Sequence, residues 1–121
     1  MNMTTQAIAT GFFFLFIFLS GIWLSRMGRP LNVVISTIHK LISLAAGFFL
    51  IVTIYRRNQA FPLNATAWIT ITVTGLCFLS IVASGGFLSS DKPMPTAVLR
   101  VHQVMPVLAA LATAATLYLI S

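Results

Sequence analysis

Residues 10–25 read TGFFFLFIFLSGIWLS, and residues 74–89 read TGLCFLSIVASGGFLS. Laid over one another at an offset of 74 − 10 = 64, the two stretches share nine identities in sixteen positions. The pairs are Thr10/Thr74, Gly11/Gly75, Phe14/Phe78, Leu15/Leu79, Ile17/Ile81, Ser20/Ser84, Gly21/Gly85, Leu24/Leu88 and Ser25/Ser89. Neither stretch holds a charge, and each supplies most of the roughly 20 apolar residues that cross a bilayer core. Apolar bias produces chance matches of Leu and Phe. It does not readily produce paired Gly and Ser in one order.

The correspondence continues beyond each stretch. The first connecting loop is longer by one residue, so the offset becomes 93 − 30 = 63. Arg29-Pro30 then falls over Lys92-Pro93, His39 over His102, Ala46 over Ala109, Thr53 over Thr116 and Tyr55 over Tyr118. The chain is therefore read as a tandem duplication of a two-helix hairpin. Repeat 1 covers about 8–57 and repeat 2 about 65–121, within a single membrane domain of 1–121. Four spans are predicted, at about 8–25, 31–55, 65–88 and 95–120. The links SRMGRP, RRNQAFPLN and SSDKPMP carry the Pro, Gly and charge that mark turns. The expected fold is all-α, a four-transmembrane-helix bundle. Each unit has two spans, so both enter the bilayer in the same sense, related by a pseudo-twofold axis along the membrane normal.

Composition agrees. Of 121 residues, 59% are hydrophobic and 7% charged, against about 25% charged in a soluble domain. Seven Lys/Arg face one acid, Asp91. That excludes an ordinary soluble enzyme, and it excludes paired-carboxylate chemistry and oxygen-ligand metal cages. The chain is read as a carrier or accessory subunit, not an enzyme. Cys77 stands alone, so no internal disulfide, CxxC site or CxxCH haem attachment is available. The net charge of +6 comes from dispersed cations, which suit loops flanking spans better than a nucleic-acid patch. Residues 1–7 hold no Lys or Arg, so the first span lacks the charged start of a signal peptide. Arg26, Arg29, Lys92, Lys40 and Arg100 gather on one side of the predicted topology, and Arg56 and Arg57 on the other with both termini. Positive-inside reasoning puts the termini on the non-cytoplasmic side of an integral membrane protein of a prokaryotic inner membrane.

His39 and His102 are the only histidines, and the repeat makes them equivalent. Each lies nine residues past a loop proline (39 − 30 and 102 − 93), at one predicted depth. Ionisable residues inside spans are functional candidates by default. Two opposed imidazoles at one level are what bis-histidine ligation of a single haem b requires. Small residues such as Ser43 next to the ligand, and Gly21 and Gly85 on the neighbouring spans, would let a flat ring approach the backbone. Lys40 and Arg100 are candidates to pair with haem propionates. The competing reading of the histidines is hydrogen-bonding glue between helices, and that of the glycines is small-residue helix packing. Thr53 and Thr116 could bond a quinone headgroup or simply satisfy carbonyls of their own helices. Tyr55, Tyr118, Trp23 and Trp68 are read as interfacial anchors. Met105 is read as packing. Pro106, four residues past His102, should kink the fourth helix or free a carbonyl near the site, with Ser43 at the equivalent place.

The pattern of His39 and His102, Gly21 and Gly85, and four spans resembles small transmembrane b-type cytochromes. It is similar to the four-helix cores of ascorbate-linked cytochromes b and to the haem-bearing anchors of succinate dehydrogenase-type and formate dehydrogenase-type complexes. The ascorbate-linked family uses two histidine pairs, and this chain has one. The resemblance implies electron transfer through one non-covalent haem b, to or from a quinone or a partner redox subunit, in a larger membrane complex or a homo-oligomer surrounded by lipid. A chlorophyll-type pigment protein, with one histidine per magnesium, uses the same residues. A cofactor-free structural or assembly subunit is the third reading. A small multidrug exporter would need a membrane-embedded Glu, and the chain has none.

Overall fold

The computed structural model describes residues 2–28, 31–90 and 92–121. It holds four helices: α1 (Met3–Met27), α2 (Val33–Ala60), α3 (Ala65–Leu88) and α4 (Thr96–Ile120). All four are long and apolar enough to cross a membrane. The chain divides into two compact units, 1–60 and 61–121, each a hairpin of consecutive helices. The division falls where the sequence places the junction between repeats.

The helix ends follow from capping chemistry. Asn2, Asn32 and Asn64 accept the N–H of the residue three further on, at 2.8, 3.0 and 2.9 Å, so each satisfies a donor that the first helical turn leaves open. α4 follows Pro95, which has no N–H to leave unsatisfied and makes no side-chain cap. α1 stops at Gly28, whose φ of 73° is cheap only for glycine.

Two boundaries differ from the sequence expectation. α2 starts at Val33 rather than 31, because Asn32 is its cap. It also runs to Ala60 rather than 55, so Arg56 and Arg57 lie in its last turns instead of in a loop. No Gly or Pro intervenes before Pro62, and cations are favourable at a helix C-terminus. At about 1.5 Å per residue the 28-residue α2 is about 42 Å long, more than a hydrocarbon core.

Within the first hairpin, α1 turns Thr10, Phe14, Ile17 and Leu24 inward, with Ser20 and Gly21 half-buried between them. α2 answers with Ser36, Ala46, Leu50 and Thr53, with His39 and Ser43 half-buried on the same face. Their spacings alternate between three and four, the rhythm of a seam between long helices. The Phe13 and Phe49 rings meet across it, with centroids 5.5 Å apart. In the second hairpin the inward residues are Ala67, Thr74, Cys77 and Ser84 of α3, and Ala109, Thr113, Thr116, Leu117 and Ile120 of α4. Both seams are rich in Gly, Ala, Ser and Thr. Small residues of this kind let helix backbones approach closely.

The large apolar side chains point outward instead. Val33, Phe48, Leu79 and Leu111 are 78, 70, 67 and 65% exposed. Apolar surface of this extent is not tolerated by a monomeric soluble protein, whereas lipid solvates it without cost.

Candidate functional site

Each hairpin builds the same small structure around its histidine. His39 is the seventh residue of α2 and His102 the seventh of α4 (39 − 33 = 102 − 96 = 6), about 9 Å along each helix. That is shallower than the distance from the prolines suggests, because both helices begin three residues after the loop proline rather than directly at it.

In unit 1 the ring reaches across to α1, where Ser20 Oγ lies 2.8 Å from His39 Nδ1. In unit 2 Ser84 Oγ of α3 lies 3.0 Å from His102 Nδ1. Each serine oxygen is also within reach of carbonyls of its own helix, to which it can donate: Ile17 for Ser20 at 3.1 Å, and Ser80 at 2.7 Å and Ile81 at 3.1 Å for Ser84. A hydroxyl both donates and accepts, so in the Nδ1–H form the ring proton goes to the serine oxygen and the serine proton to the helix carbonyl. His102 Nδ1 also lies 3.1 Å from the Ile81 carbonyl oxygen, which can only accept. At His102 the bonding thus favours the Nδ1–H form, with the lone pair on Nε2, and His39 in the equivalent place fits the same form.

The glycines complete each seat. A Cβ on Gly21 would lie 3.1 Å from His39 Cε1, and one on Gly85 would lie 2.9 Å from His102 Cε1. The sequence reading gave these glycines to a flat macrocycle. The room they leave is taken by the imidazoles themselves, so Gly21 and Gly85 let the histidine edge rest against the neighbouring helix backbone.

Ser43 and Pro106 occupy equivalent places for a shared reason. Ser43 donates to the His39 carbonyl at 2.7 Å, four residues back. Pro106 has no N–H to give the His102 carbonyl, also four residues back. Both histidine carbonyls are thus treated differently from an ordinary helical carbonyl. Lys40 and Arg100 lie one residue after and two before the histidines, and both are exposed. Lys92 is exposed, while its repeat equivalent Arg29 lies outside the described residues.

Thr53 and Thr116 bond the Phe49 and Ala112 carbonyls of their own helices at 2.9 and 2.8 Å, as the non-quinone reading expects. Tyr55 and Tyr118 are 63 and 81% exposed, as suits interfacial residues. Sequence reasoning noted Ser20 and Ser84 only as matched letters and gave them no role. The signal was present: a Ser-Gly pair repeated at 64, answered by a histidine repeated at 63.

Among the described residues, no group of three or more His, Cys, Asp or Glu side chains converges as a metal cage. A bare ion held by protein ligands needs about three or four such groups, whereas a macrocycle provides four equatorial ligands and asks the chain for one or two. Comparison with protein-family models, curated proteins and solved structures found no match.

Proposed function

We propose that this chain is a membrane electron carrier in which His39 and His102, one from each hairpin, are the axial ligands of a single haem b, exchanging electrons with a quinone or a partner redox subunit. The observation that supports the reading is the repeated seat: two histidines, equally far into their helices, each with Nδ1 beside a serine hydroxyl, which in the Nδ1–H form leaves Nε2 to ligate. Ligating histidines characteristically donate their other ring N–H to an oxygen, which fixes the tautomer and the ring plane. When bound, the haem supplies a one-electron iron couple. The chain's own part is to orient the imidazoles, exclude water with an apolar surround, and set Lys40 and Arg100 near the ligands for pairing with carboxylates.

The test is a reduced-minus-oxidised optical spectrum of the purified protein. A sharp low-spin b-type band is expected, lost in both His39→Ala and His102→Ala. Absence of the band, or its survival in both variants, overturns the proposal, and extraction of a magnesium pigment would reassign the same histidines to chlorophyll-type binding.

One observation favours a second reading. The Ser20–His39 and Ser84–His102 bonds each join the two helices of a hairpin, as hydrogen-bonding glue in a cofactor-free assembly subunit would. Retention of fold and oligomeric state after replacing both histidines, with no pigment in the wild type, would select it.

A further inference from the structure

Ser20 and Ser84 touch nothing that reacts, yet each has its oxygen within hydrogen-bond distance of the Nδ1 of a candidate ligand. We infer that Ser20 and Ser84 are positioning residues that tune the electron density of the two imidazoles, so that the chain sets the potential of its cofactor through a Ser–His pair in each hairpin. The inference rests on the haem reading for its redox consequence, but the geometry beneath it stands within each unit alone.

Three features converge on each serine. It lies 2.8 or 3.0 Å from Nδ1 and within reach of a carbonyl of its own helix, so it can take the ring proton while giving its own to the helix. It is followed by the glycine against which the Cε1 edge of the same ring rests, at 3.1 or 2.9 Å from a built Cβ. The two contacts together fix which edge of the imidazole faces the neighbouring helix. The pair sits partly buried in the seam between the two helices, where hydrogen bonds are electrostatically stronger than in open water.

The chemical consequence has a sign. A ring whose Nδ1–H is drawn toward an oxygen carries more negative charge and is a stronger donor at Nε2. A stronger donor stabilises the oxidised, more positive iron, which lowers the midpoint potential. At His102 the Ile81 carbonyl shares the same proton, so that ring retains an acceptor when Ser84 is removed.

The experiment compares wild type, Ser20→Ala, Ser84→Ala, Ser20→Thr and Ser84→Thr, each as the full chain in lipid. ¹⁵N spectra of labelled histidine report the tautomer directly, since the chain has two histidines. Redox titration of the b-type band reports the potential. The expected result is Nδ1–H for both rings in wild type and an upfield shift of that proton in the matching Ala variant. The midpoint should move positive in both Ala variants, with the Thr variants close to wild type. Ser84→Ala should keep the Nδ1–H form through Ile81. An Nε2–H tautomer in wild type overturns the inference, as does an Ala variant that loads haem with unchanged proton shift and midpoint. If wild type shows no b-type band, the haem proposal fails separately, and the ¹⁵N spectra still decide whether the serines hold the rings.

Discussion

His102 lies so close to Gly85 that a single methyl group on the glycine would stand 2.9 Å from the imidazole Cε1, closer than real Cβ contacts come. The equivalent distance at Gly21 and His39 is 3.1 Å. Gly85→Ala should therefore push the ring off Ser84 and destabilise the second hairpin by about 1–3 kcal/mol, the usual range for overpacking. Gly21→Ala should do the same more mildly. Gly86→Ala is the control, because nothing lies within 4 Å of a Cβ there. Unfolding in detergent or bicelles, read beside the ¹⁵N shift of His102, measures both effects. Equal behaviour of Gly85→Ala and Gly86→Ala would show that the glycine does not seat the histidine.

Thr113 is 2% exposed, and its Oγ1 has no hydrogen-bond partner. The other seam threonines of the second hairpin are satisfied: Thr74 donates to the Thr70 carbonyl and Thr116 to that of Ala112, both at 2.8 Å. A buried hydroxyl without a partner costs roughly 1–3 kcal/mol. Thr113→Val, which keeps the branched shape, should therefore stabilise the hairpin by about 1 kcal/mol or more. A loss of stability in the same unfolding assay would show that the hydroxyl has a partner after all, an ordered water being the simplest.

Thr74 and Thr116 also face each other at 3.4 Å across the α3–α4 seam, at the limit of hydrogen-bond geometry. Since each proton already goes to its own helix, the contact between them should be worth little. A double-mutant cycle with Thr74→Val and Thr116→Val should give a coupling of about 0.6 kcal/mol or less, typical of membrane-interior hydrogen bonds. A coupling above about 1.5 kcal/mol, near the largest such values, would mean that one hydroxyl turns from its carbonyl to the other threonine.

The helices were legible because their signal is gross: about twenty apolar residues between loops that carry Pro, Gly and charge. The register of Thr10–Gly11 against Thr74–Gly75 needs only letters, and its two copies fall one in each of the compact units 1–60 and 61–121. The end of α2 was not. Arg56 and Arg57 look like a loop on any hydropathy scale, yet a helix continues through cations when its C-terminal dipole favours them. The histidines were legible as a pair, but their clasp was not, because the decisive property of Ser20 and Ser84 is where their protons go. That depends on the i−3 and i−4 carbonyls lying within reach of the hydroxyl, a matter of helix geometry that composition does not carry. A missing Cβ announces room, but not which group fills it, and here the filling group comes from the chain itself.

Lys40 and Arg100 bear on the proposed function without touching the histidine clasp. Both are exposed, and each lies within two residues of a candidate ligand. A cation near the iron disfavours its oxidised, more positive state, so removing one should lower the midpoint potential. Lys40→Gln and Arg100→Gln should each move it negative, opposite in sign to Ser20→Ala and Ser84→Ala, with the ¹⁵N tautomer signals unchanged. The shift should shrink as salt rises, since exposed charges are screened over about 8–10 Å at ordinary ionic strength. If the two charge variants titrate like wild type at low salt, these cations serve topology alone. If they shift the tautomer signals, the cations act on the seats themselves.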